Sequence, residues 1–173
     1  APREVSGLIH LMRAELAERQ GQAREAAALY QTLLMRQADA YTEGAYADFL
    51  LDQGRPAEVL TLLKGRERND ALLLRLAEAG AAVKDPANGA RVSALRARFA
   101  AARERGDSVH RREEARFTLR LLRQPAQALK LAQRTRPTVS RRSAGLRTVC
   151  QQASCVDKAW ATRLHVDVRQ GLA

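Results

Sequence analysis

Three histidines, His10, His110 and His165, are the first residues whose chemistry could matter, because imidazole is the commonest general base and metal ligand. They fall on separate expected elements, and none has a Cys, Asp or Glu at the spacing of a nucleophile pair or a metal site. Solvated or packed histidine is the simpler reading. In "HRREEAR", His110 to Arg116, the adjacent Glu113 and Glu114 sit where a first helical turn is expected. There they offset the helix dipole and can pair with neighbouring arginines, whereas acid–base work would need a buried, facing carboxylate. "EAGAAVKDPANG" contains glycines but follows no strand, so it is not a phosphate-binding loop. The sequence predicts no catalytic residue, no metal and no cofactor, and hence a protein that is not an enzyme.

Cys150 and Cys155 are too few for a disulfide framework and lack a nearby His pair. Five residues apart, they would point to different faces of a continuous helix, so a bridge between them would require non-helical backbone. The chain starts "APREVSG" without methionine, which suggests that something upstream was removed: a signal peptide, a preceding domain, or other residues. The compartment, periplasmic or exported or cytoplasmic, stays open.

The elements that must position any site are helical. Ala, Leu, Arg and Glu dominate a chain with only 4% aromatic residues, and these side chains lose least on entering a helix. Arg or Glu interrupts every leucine run, so no window reaches the roughly 18 apolar residues of a membrane-spanning helix. Gly7 to Gln20 carries Leu8, Leu11, Met12 and Leu16 as an apolar stripe and ends at Gly21. Arg24 to Arg36 gathers Ala26, Ala27, Tyr30, Leu33 and Leu34, and stops near "QADA". Tyr41 to Leu51 offers Tyr46, Phe49 and Leu50 to the core, and Gly54 closes it. Pro56 suits the first turn of the next helix, Ala57 to Lys64. Asn69 or Asp70 caps a fifth helix through Val83, "KDPANG" is a loop, and Ala90 to Arg105 is a sixth. Asp107 or Ser108 starts a seventh, through "EEARFTLRLL", and Pro125 opens an eighth at "PAQALKLAQR".

A repeat runs through these helices. Ala14, Ala47, Gly80 and Ala115 in the first helix of each hairpin are 33, 33 and 35 residues apart; Ala26, Val59, Ala94 and Ala128 in the second are 33, 35 and 34 apart. Two helices approach closely only where side chains are small, so a small residue at one place per unit has a packing reason. Gly21 and Gly54 keep the spacing of 33, each followed four residues later by Glu.

In "RQGQAREAAALYQTLL", Gly21, Ala26 and Tyr30 occupy the places of an inter-helix glycine, a second-helix alanine and a large aromatic, and the chain thereby resembles the tetratricopeptide repeat family. The resemblance covers about Gly7 to Gln133 and weakens along the chain. Leu63 stands in the aromatic place of the second unit, Gly80, Ala94 and Phe99 mark a third with a longer loop, and Arg123 replaces the glycine of the fourth. The family's first-helix Trp and closing Pro are absent. The resemblance implies an all-α, right-handed helical-hairpin solenoid of about four such units over residues 7–133, followed by a basic segment, 134–173. It implies an adaptor or scaffold that binds another protein's peptide or helix on the face lined by the first helices. The groove residues would be Glu15, Glu18 and Arg19 in the first unit, and Tyr41, Asp48 and Asp52 in the second. Tyr41 is the best single candidate, since an exposed aromatic contributes more contact energy than an exposed charge.

The net charge of +11 is concentrated at the end of the chain. Residues 1–109 hold 16 basic against 15 acidic side chains, and residues 110–173 hold 14 against 4. Arg134, Arg136, Arg141, Arg142 and Arg147 would serve a phosphate-binding tail, the alternative function, although aromatics to stack bases are missing. An acidic protein or an anionic membrane surface would suit them equally. Helical periodicity collapses after Gln133, and both cysteines and the only tryptophan lie beyond it, so a non-native end is a third reading. Val149, Val156, Trp160 and Leu164 leave room for a final capping helix.

Overall fold

A computed structural model describes residues 2–36, 38–107 and 110–134; Cys150, Cys155 and the expected capping helix through Val149 and Leu164 lie outside them, as does His165. The described residues form eight α-helices and no strand: α1 Pro2–Arg19, α2 Ala23–Arg36, α3 Ala40–Asp52, α4 Pro56–Leu62, α5 Asp70–Val83, α6 Asn88–Glu104, α7 Arg111–Arg120 and α8 Pro125–Arg134. The chain is all-α. It divides into two compact units, residues 1–100 and 101–173, with the division inside α6.

Local chemistry fixes most helix ends. Asp39 caps α3 by accepting from the Thr42 amide at 2.7 Å, and Asn69 caps α5 by accepting from the amides of Ala71 and Leu72. Pro56 occupies the first turn of α4, where a missing N–H goes unnoticed. Four helix ends share one closure, an amide bonded back five residues: Gln22 to Ala17, Arg55 to Leu50, Asp85 to Gly80 and Asp107 to Ala102, each at 2.9 Å. The residue before each donor is left-handed. It is Gly21, Gly54 and Gly106 in three turns and Lys84 in the fourth. Arg123, which stands where a repeat glycine is expected, is also left-handed, with φ 57°. The following amide, of Gln124, bonds back six residues to Thr118 rather than five, so the left-handed position is kept but the closure differs. The seventh helix starts at Arg111, after His110, and so later than Asp107 or Ser108 would place it.

In the first unit, α1 packs on α2, α2 on α3, α3 on both α4 and α5, and α4 on α5. Its core joins Ala14 and Ala17 to Ala26, Tyr30 and Leu33, and continues through Tyr46, Phe49, Leu50, Val59, Leu63, Leu72 and Leu76. The alanines of the 33-residue ladder, Ala14, Ala26 and Ala47, are fully buried, as their packing role requires. Gly80 takes that role in α5: a β-carbon there would stand 2.5 Å from Asn88 Oδ1 and 2.9 Å from Arg91 Nη1 at the start of α6. Arg98, late in α6, reaches Asp70 at the start of α5 at 2.6 Å, so α5 and α6 run antiparallel. In the second unit, α7 packs on α8, Ala115, Phe117 and Ala128 are buried, and Arg103 pairs with buried Glu114.

One expectation is corrected. The stripe Leu8, Leu11, Met12, Leu16 is not the buried face of α1. Leu11 is buried with Ala14 and Ala17, while Leu8, Met12 and Leu16 are about half exposed. Small residues let α2 approach α1 closely, and the larger side chains are left on the other side of the helix.

Candidate functional site

The expected groove residues lie on α1 and α3, in the first unit. What ties them together is Tyr30, whose ring is buried at the centre of the unit while its hydroxyl donates to Glu18 Oε2 at 3.2 Å. Its ring meets Tyr46 at 5.5 Å and Phe49 at 5.6 Å between centroids, and those two stack at 6.1 Å. Tilted and offset arrangements of this kind suit the ring quadrupoles. Gln31 Nε2 donates to the Tyr46 hydroxyl at 3.2 Å. The aromatic cluster thus joins α2 to α3 and presents its two hydroxyls to polar side chains.

Glu18 alone bonds the Tyr30 hydroxyl, and the charges of Glu15 and Asp48 also act on it. Burial, then the charges of Glu18, Glu15 and Asp48, push its pKa far above the ordinary phenol, so it remains a neutral donor. Glu15 is held above the ordinary carboxylate range, chiefly by burial and further by Glu18, with Arg19 opposing. Three of the six expected residues, Glu15, Glu18 and Asp48, therefore act electrostatically on one hydroxyl. Tyr41 stands at the first turn of α3 and is 57% exposed; Arg19 and Asp52, at the ends of α1 and α3, are also exposed.

Asp48 has a structural partner that reading the sequence missed. Arg75 of α5 donates from Nη2 to Asp48 Oδ2 at 2.6 Å, from Nε to the Gly44 carbonyl at 3.1 Å and from Nη1 to the Ala71 carbonyl at 2.7 Å. A planar guanidinium can serve three acceptors at once, and here it clamps α5 to α3. The available signal was the charge in "LLLRLA", an arginine inside a leucine run, which is rarely placed there without a partner. A second link joins Arg66 to buried Glu43 at 2.6 Å.

Glu18 is thus held by Tyr30, and Asp48 by Arg75. Among the described residues, no group of three or more His, Cys, Asp or Glu is placed to hold a metal, and no helix is long and apolar enough to cross a membrane. Of the arginines expected to bind phosphate, Arg134 ends α8; Arg136, Arg141, Arg142 and Arg147 lie outside the described residues. No family model matches the chain, and no curated protein or solved structure is significantly similar to it.

Proposed function

We propose that the protein is a tetratricopeptide-like adaptor or scaffold, a right-handed stack of about four helical hairpins, that binds a segment of another protein along the first-helix face of its first two units. The observation that carries this reading is that the Tyr30 hydroxyl of α2 donates to Glu18 of α1 at 3.2 Å, with Glu15 and Asp48 near enough for their charges to act on it. Burial disfavours the charged form of Glu15 and Arg19 offsets only part of that penalty, so a further positive charge from a partner would be favourable there. The partner segment is therefore basic, extended or helical, with an apolar side chain to meet Tyr41.

Selection from a displayed peptide library on the immobilised full chain, followed by anisotropy titration, tests the proposal. Enriched sequences should be rich in Lys or Arg, and Tyr41→Ala combined with Asp52→Lys should weaken them by about tenfold or more. Enrichment no greater than on an unrelated helical protein would refute it, as would affinities indifferent to both substitutions.

A further inference from the structure

In the second unit, α7 keeps its buried and its basic residues on opposite sides. Glu114, Ala115, Phe117 and Thr118 are buried. With about 3.6 residues per turn, Arg112, Arg116 and Arg120 fall on the far side of the helix from them, in one row that rises by about 6 Å between neighbours. All three are partly exposed. The positive charge of this stretch exceeds what its own carboxylates can offset. Residues 110–133 hold six basic side chains against two acidic ones, and one of the two, Glu114, is buried and pairs with Arg103. Whatever ion pairs the arginines of α7 make, a surplus of positive charge stays on the hairpin.

The neighbouring side chains narrow the kind of partner. Among the described residues of α7 and α8, no large apolar side chain is exposed, so nothing there would enter a bilayer. Phe117, the only aromatic residue of 110–133, is buried in the core, so no base could stack on it. What the helix offers is a row of planar guanidiniums, each able to grip a phosphate through two N–H groups. A polymer with phosphates at a fixed repeat matches an evenly spaced row better than an acidic protein does, since carboxylates on a protein surface have no common spacing.

We infer that α7 is a docking surface for the phosphate backbone of double-stranded nucleic acid, with Arg112, Arg116 and Arg120 as contacts that do not depend on base sequence. The surface belongs to the second unit and does not require the arginines from Arg134 onward. It is also independent of peptide recognition at α1 and α3.

Anisotropy titration of the full chain with a labelled DNA duplex of roughly 20 base pairs, over about 0.05–0.3 M salt, tests this. Affinity should fall steeply with salt and be the same for unrelated sequences. Arg112→Gln, Arg116→Gln and Arg120→Gln together, which keep helix propensity, should weaken binding about tenfold or more at about 0.1 M salt and lower the salt slope by about three. Should that triple variant lose its helical circular dichroism, Arg116→Gln alone should still lower the slope by about one. No binding of the duplex at about 0.05 M salt overturns the inference, as does tighter binding to vesicles of anionic lipid or to polyglutamate than to the duplex. A folded triple variant that binds as the wild type does, with affinity lost instead on Arg141→Gln and Arg142→Gln, also overturns it.

Discussion

Glu15 has a raised pKa because burial disfavours its anion, and Arg19 offsets only part of that penalty. The folded state therefore holds this proton more tightly than the unfolded chain does. The group's contribution to stability is fully present below its unfolded pKa and is lost as pH rises through the folded value. Glu15→Gln should raise the melting temperature at neutral pH, with a gain that shrinks on acidification below the ordinary carboxylate range. Paired thermal melts across that window check the sign; a variant less stable than wild type at pH 7 would contradict it. Gly80 offers a steric counterpart. Gly80→Ala forces a β-carbon against Asn88 Oδ1 at 2.5 Å and should cost about 1–3 kcal/mol. Gly44→Ala places one at an ordinary 3.5 Å from Arg75 Nε and should instead gain about 0.5–1 kcal/mol of helix propensity in urea titrations.

At the level of elements, the sequence showed where helices begin and end better than which way they face. Gly21, Gly54, Pro56, Asn69 and Pro125 are local signals, and the structure places a turn, a helix start or a cap at each. Their chemistry acts within a few residues, so no tertiary knowledge is needed to read it. The burial of α1 is different. Leu8, Leu11, Met12 and Leu16 form a good stripe by period alone, but Ala14 and Ala17 admit α2 more closely, and a small residue's packing value is visible only once its neighbour is known. Arg75 was illegible for the same reason, since its three acceptors lie on α3 and within α5. Arg75→Lys keeps the charge but cannot fork to all three, and should cost about 2–3 kcal/mol, lowering the melting temperature by roughly 4–12 °C. An unchanged melt would show that the clamp contributes nothing to the α3–α5 contact.

For the whole molecule, composition favoured an all-helical fold, and the eight helices of the described residues agree. The resemblance assigned the expected groove residues to positions that lie on α1 and α3; Tyr30, whose hydroxyl bonds Glu18, was read only as a core aromatic. A merely packed tyrosine and one whose hydroxyl is hydrogen-bonded look alike in sequence, because burial and hydrogen bonding are set by the partners. Hydrogen exchange of the full chain, with and without a peptide captured as above, locates binding most directly. Recognition along the first-helix face predicts slowed exchange in α1 and α3, around residues 15–19 and 41–52, with α7 and α8 unchanged. Protection confined to α7, α8 or residues beyond 134 would contradict it and move recognition to the basic end of the chain.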